Sequence, residues 1–129
     1  MTQIRTSPTT LASSPATQAR RFYDCVDRGD VPAIAALFAQ NASYHRPGYE
    51  PFLGPEGLVR FYGAERSIRD GRHHLEWVVA EKGQVAVRGS FRGTLHNGAP
   101  IELRFADFFQ TGQDGLFTRR DTFFFAPLA

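Results

Sequence analysis

Residues 84–110 read QVAVRGSFRGTLHNGAPIELRFADFFQ, and the alternation within them decides the fold. Val85, Val87 and Phe91 share one parity, and so do Ile101, Leu103, Phe105 and Phe109. A period of two marks strands that bury one face. Asn97-Gly98 lies between the two runs and supplies the residues a tight hairpin turn requires. The same period extends on both sides, from Arg72 to the end of the sequence. It predicts strands at about 73–81, 84–95, 100–110 and 116–125, with further turns at Lys82-Gly83 and Gly112-Gln113-Asp114-Gly115. Consecutive hairpins make an antiparallel meander.

Upstream the period is that of helices. Ser14-Pro15 is a cap followed by a proline at a first helical position. Ala19, Phe22, Tyr23 and Val26 then form one apolar stripe, and Gly29 ends it. Asp30 caps a second helix with the stripe Ile34, Leu37 and Phe38. A short strand runs from Asn41 through Tyr44 to Arg46, and Pro47 to Pro51 is a turn-rich loop. Gly54-Pro55-Glu56 opens a third helix with Leu58, Phe61, Tyr62 and Glu65 on its stripe, closed by Gly71. Helices first and strands second is an α+β pattern. The expectation is three helices packed on a strongly curved sheet around a mostly apolar pocket. It forms one domain over residues 15–129, preceded by a Thr-, Ser- and Pro-rich tail over 1–14 predicted to be disordered.

A chain of 129 residues can bury one real core. Phenylalanine is enriched, with twelve copies, most of them after residue 90. They fill a core or line a cavity for an apolar ligand. A net charge of +2, with scattered arginines, argues against nucleic acid as a partner. No apolar run is long enough to span a membrane. Cys25 has no cysteine partner in this sequence and fits a reducing, cytoplasmic setting, as a buried apolar residue or as a reactive thiol. None of His45, His73, His74 and His96 pairs at metal-ligand spacing, so no metal or other cofactor is expected.

Charges on apolar faces are the candidate chemistry. Asp107 shares its face with Ile101, Leu103, Phe105 and Phe109. Desolvation there makes it a proton donor near neutral pH, or an arginine pairs with it. Asp121 shares parity with Phe117, Arg119, Phe123 and Phe125, within reach of Asp107 or Arg88, and salt bridging accounts for it equally. Glu65 either extends the third helix's stripe or pairs with Arg69 at i+4. Tyr23 and Tyr62 lie on helix faces that meet the sheet. Of His73 and His74, neighbours on one strand, only one can face the pocket. Without a phosphate loop or nucleophile elbow, the available chemistry is acid–base chemistry.

The run Phe22-Tyr23-Asp24-Cys25-Val26-Asp27-Arg28-Gly29-Asp30, then Ile34 to Phe38, Asn41-Ala42-Ser43-Tyr44 and Gly54-Pro55-Glu56-Gly57-Leu58, resembles the nuclear transport factor 2-like superfamily. The likeness covers about residues 16–125 and implies a cone-shaped fold: a bent sheet round a pocket, closed by helices. Ketosteroid isomerases, SnoaL-like polyketide cyclases and limonene epoxide hydrolases belong to that group. Against the isomerases, the resemblance puts the oxyanion-hole aspartate at Asp107 and a supporting tyrosine at Tyr62. The main tyrosine falls on Phe22, with Tyr23 one place off. Arg46 stands where the general base should be and cannot take a proton, which argues against steroid isomerisation. Against the epoxide hydrolases, Tyr44, Arg88 and Asp121 match the water-orienting tyrosine, the arginine and the base. The intervening acid falls on Ser90, so Asp107 or His45 would supply the proton.

Three readings follow. The first is a cofactor-independent acid–base enzyme of cyclase or isomerase type, acting on a hydrophobic oxygenated small molecule of polyketide or terpenoid kind. Asp121 or Asp107 moves the proton, and Arg46, Tyr44 and His45 stabilise an oxyanion. Phe22, Tyr23, Tyr62, Glu65, Trp77, Phe105 and Phe123 hold the substrate. The second is epoxide opening in the same pocket, with Arg88 and Asp121. The third is a binding or assembly module without chemistry. If Arg88 faces the pocket, then Val85, Val87 and Phe91 face outward and predict a homodimer through the outer sheet face.

Overall fold

A computed structural model gives the conformation of residues 14–125. The expected tail falls outside them apart from Ser14. Ser14 caps helix α1 (Pro15–Arg28) by accepting a hydrogen bond from the Thr17 N–H at 3.2 Å. Gly29, at φ 69°, ends it in a left-handed turn that returns two N–H groups to the Cys25 and Val26 carbonyls, each at 3.0 Å. The expected stripe is the buried one: Ala19, Phe22, Tyr23 and Val26, joined by Gln18 and Cys25. Cys25 is 3% exposed and therefore a core residue. Phe22 meets the rings of Tyr23, Phe38, Tyr62, Phe109 and Phe117.

Helix α2 (Val31–Ala35) is capped by Asp30 as expected, but it stops early. The Leu37 carbonyl accepts the Phe117 N–H at 2.9 Å, so Phe38 already opens strand β1 (Phe38–His45). Sheet pairing overrides the helical stripe at Leu37 and Phe38. After β2 (Phe52–Leu53) comes α3 (Gly54–Arg60), followed by a single π-helical turn over Phe61–Glu65. The third helix thus ends well before Gly71, which lies inside β3 (Ile68–Glu81) opposite Gly93 of β4 (Gln84–Leu95). A side chain at Gly71 would strike the Phe91 ring and come within 2.7 Å of the Arg92 carbonyl oxygen. Glycine is there for close packing and not as a helix stop.

Strands β5 (Pro100–Thr111) and β6 (Phe117–Phe124) complete the predicted meander. Among the described residues the sheet has six strands in the order β2-β1-β6-β5-β4-β3, antiparallel except for the β1–β6 pair. Register shifts interrupt β3 twice and occur once where β5 meets β6. Such bulges bend strands, and here they curl the open mixed sheet into a cone around the helices. The concave face carries the core, including Val85, Val87, Phe105, Phe109 and Phe117. Val85, Val87 and Phe91 therefore point inward and Arg88 outward, the reverse of the arrangement on which the homodimer expectation rested. The convex face exposes Trp77, Val79, Phe108 and Phe123 instead. No helix among the described residues is long and apolar enough to cross a membrane.

Candidate functional site

Cross-strand rows build the floor of the pocket. One inward row runs Val87, Asp107, Thr122; the next runs Val85, Phe109, Arg120, Tyr44. Asp107 and Arg120 are therefore diagonal neighbours, at a separation that long side chains span. The Arg120 guanidinium donates to Asp107 Oδ2 at 2.9 Å, with side-chain exposures of 4% and 0%. The hydroxyls of Tyr23 and Thr122 donate to the same carboxylate. Arg120 also donates to the Tyr62 hydroxyl at 2.9 Å, and its guanidinium lies 4.4 Å from the ring centres of both Phe22 and Tyr44. Burial would depress the Arg120 guanidinium, but Asp107 and the surrounding phenol oxygens hold it well above its ordinary range. The same burial, with Asp107 beside it, pushes the Tyr23 phenol well above the usual tyrosine value.

One wall belongs to β3. His73 Nδ1–H donates to Asp27 Oδ1 at 2.6 Å, and the His73 backbone N–H donates to Asp27 Oδ2 at 2.9 Å. A carboxylate on Nδ1 fixes the tautomer and leaves Nε2 with a lone pair. Burial lowers the His73 pKa below its ordinary value; Asp27 opposes this, and Arg120 and Arg66 reinforce it. The imidazole is thus neutral at pH 7. Rings of Tyr23, Phe91 and Phe105 surround it at 5.0, 4.7 and 5.5 Å.

The rest of the lining is largely cationic and phenolic. The π turn sets Tyr62 and Arg66 toward the pocket while Glu65 points to solvent and pairs with Arg60 at 2.6 Å. Single π turns inside helices concentrate at functional sites. Burial raises the Tyr62 phenol to about 12, so it stays a hydrogen-bond donor throughout the physiological range. Arg46 donates to the Tyr44 hydroxyl at 2.7 Å and lies between the rings of Phe61 and Phe124, at 4.8 and 5.1 Å. These groups and Ile68, Leu103 and Phe105 enclose about 340 Å³, mouth included. The inner part has room for little more than one water.

Of the expected site residues, Asp107, Arg46, Tyr62 and Phe105 line this pocket. Tyr44, Phe22 and Tyr23 lie directly beneath it, fully buried, with the two tyrosine hydroxyls in its hydrogen-bond network. The others lie elsewhere. Asp121 is on the convex face, paired with Arg119 at 2.8 Å. Arg88 is there too, bound to Glu76 at 3.0 Å and stacked on Trp77. Phe123 is 55% exposed against Phe108, and His45 bonds Ser43 Oγ on the side away from Tyr44. Glu65 is outside and pairs with Arg60, not with Arg69, which binds Asp70. The shift between Gln110 and Thr111 explains Asp121 and Phe123: it transfers the inward parity of β6 from Phe117 to Arg120, Thr122 and Phe124. The shift between Leu75 and Trp77 turns Trp77 outward in the same way. Sequence reasoning missed Asp27, Arg66, Arg120 and Thr122 and left His73 unassigned. For His73 the signal was the parity it shares with Leu75.

Helices on a bent mixed sheet, with a buried polar cluster under a pocket, define the class as a cone-shaped α+β fold. The chain belongs to the SnoaL-like domain family, whose model matches residues 19–120. It is similar to an NTF2-like protein of unknown function from Burkholderia pseudomallei, with 18% identity and a TM-score of 0.78 over 86% of this chain and 90% of that one. It is similar to SalBIII, an epoxide hydrolase/cyclase-like enzyme of pyran ring formation in polyether salinomycin (18% identity, TM-score 0.76, 86% of this chain and 90% of that one). A third likeness is to TerC co-crystallised with polyporic acid, at 19% identity and TM-score 0.75 over 87% of this chain and 92% of that one. At these identities the likenesses show the fold alone. No curated protein matches the chain.

Proposed function

We propose that the pocket carries out cofactor-independent acid–base chemistry on a hydrophobic oxygenated small molecule: proton abstraction from a carbon next to a carbonyl, as an isomerase or cyclase requires. The observation that carries this is the Asp27–His73 pair lining one pocket together with Tyr62, Arg46, Arg66 and Arg120. Neutral His73 takes the proton at Nε2, oriented by Asp27. Tyr62, whose oxygen is already occupied by an Arg120 N–H, donates its own proton toward the developing oxyanion. Asp107 holds Arg120 and the two hydroxyls in place. The apolar rings exclude water. Membership of a family with cyclase- and hydrolase-like structural neighbours supports the reaction class. Epoxide opening by Arg88 and Asp121 has no support from the geometry, since both lie on the convex face.

The test is deuterium exchange at the acidic carbon of a panel of hydrophobic 1,3-dicarbonyl probes, followed by NMR. Removing a general base costs about 10²–10⁴ in rate. His73→Gln should lose exchange by that factor with the fold intact, and an unchanged rate refutes the assignment. A homodimer also remains a proposal. Its support is the exposed Trp77, Val79, Phe108 and Phe123 of the convex face, and sedimentation over a range of concentrations tests it.

A further inference from the structure

Three guanidiniums line the pocket, from Arg46, Arg66 and Arg120, against one carboxylate, Asp107. Asp107 is consumed by Arg120 at 2.9 Å. His73 is neutral, and the Asp27 behind it is occupied by the His73 ring and backbone. Two positive charges are thus left without a carboxylate among the described residues. Neither is an ordinary surface arginine. Arg46 is held by the Tyr44 hydroxyl and two aromatic rings. Arg66 lies over the rings of Tyr62 and Phe91, at 5.3 and 5.7 Å, and its Nε is buried with no hydrogen-bond partner. Burial lowers the Arg66 pKa, and the charge of Arg46 presses the same way, so the two guanidiniums feel each other.

A fold leaves a buried donor unpaired and two like charges together at a cost. An anion between them relieves the like-charge cost. Planar guanidiniums match a planar, two-oxygen acceptor. The 340 Å³ that includes the mouth brings these guanidiniums together with walls of Ile68, Leu103, Phe105 and Phe124, which suit an apolar body. We infer that Arg46 and Arg66 form an anion clamp, and that the pocket's ligand is a hydrophobic molecule with a carboxylate or equivalent planar oxyanion, bound head-first. This rests on the reading of the pocket as a substrate site and names the class of substrate it takes.

The experiment is isothermal titration calorimetry with 2-naphthoate, cinnamate and hexanoate against their primary amides, on the unaltered protein and on Arg66→Gln, Arg66→Lys and Arg46→Gln. The acids should bind, and the amides about tenfold to a hundredfold more weakly, the value of losing charge-assisted bonds. Arg66→Gln and Arg46→Gln should each weaken the acid, but not the amide, by a similar factor. Arg66→Lys should restore part of it, because the charge returns without the fork. Near-UV circular dichroism and urea midpoints establish that each variant is folded. Equal affinity for acid and amide, acid binding indifferent to both glutamine variants, or equal binding of inorganic phosphate overturns the clamp. Acid binding without any carbon-acid exchange would sink the proposed catalysis and leave the clamp standing. Exchange of neutral probes with no preference for acids would do the opposite.

Discussion

Asp107→Asn separates the two meanings that a buried carboxylate on this strand can have. Asparagine keeps the shape and one acceptor oxygen but loses the charge, so a neutral acid would be replaced almost without cost. In the structure Asp107 is instead the counterion of Arg120, which is only 3% exposed and otherwise faces aromatic rings and the Tyr62 oxygen. Breaking a buried pair from one side costs about 3–5 kcal/mol, because the other charge stays in the interior. For a domain of this size each kcal/mol shifts Tm by about 3–5 °C, so the variant should melt about 10–20 °C lower. Arg120→Met should cost a similar amount and leave the carboxylate with only the Tyr23 and Thr122 hydroxyls. The double variant removes both charges and places methionine among Phe22, Tyr44 and Phe109, so it should be about 2 kcal/mol less destabilised than the sum of the singles. Urea unfolding at pH 7 of the four proteins, read as midpoint and slope, gives the cycle. A cost below about 1 kcal/mol for Asp107→Asn, or additivity within about 0.5 kcal/mol, refutes the ion-pair account.

Because burial lowers the His73 pKa, the fold prefers the neutral ring. That contribution is complete above the ordinary histidine value of about 6.5 and is lost as pH falls through the lower folded value. Urea midpoints measured from pH 8 to 4.5 should therefore decline less steeply in His73→Gln than in the unaltered protein, and parallel curves count against this. Tyr62→Phe should reduce carbon-acid exchange by about 10²–10³ without moving its pH midpoint, since it removes a donor and not the titrating base. A full rate in that variant removes Tyr62 from the oxyanion role. Gly89→Ala should destabilise by about 1–3 kcal/mol, because the added methyl would collide with the His74 carbonyl oxygen across the β3–β4 pair. An unchanged Tm would mean that this stretch of sheet yields freely.

The meander and α1 were legible because each carries its own period and its own stops, from the Ser14 cap to the Asn97-Gly98 turn. The site was legible only in part, for two separable reasons. One is that the inward parity of a strand survives only until a bulge. The residues Phe117 to Phe124 read FTRRDTFF, in which neither parity is cleanly apolar, so nothing marks where the face changes. Asp121 and Arg120 exchange roles through that one shift. The other reason concerns Arg88, where the local pattern was informative. Val85, Val87 and Phe91 share a parity that predicts their burial, and the structure buries them. Carrying a functional arginine over from the resembling hydrolases set Arg88 inward against that pattern, and the pattern was right. Arg66 depended on a π turn, whose extra residue per turn no stripe of Leu58, Phe61 and Tyr62 discloses.

The departures from the resembling isomerases form one connected change. The resemblance puts their base position at Arg46, which brings a positive charge to the end of β1. Arg120, beneath it, ties up the buried aspartate that the resemblance assigns to the oxyanion hole. With Asp107 so occupied, His73 is the pocket-lining group left with a free basic lone pair. The proposed base thus sits on β3, and charge stabilisation sits on the wall formed by the π turn and the end of β1. A substrate in this pocket would accordingly point its oxygen toward Tyr62, Arg46 and Arg66 and its acidic carbon toward His73. Relative to an enzyme with its base at the position of Arg46, that is a reversed pose, and it makes an anionic substrate an asset where a neutral steroid would gain nothing from the two extra charges.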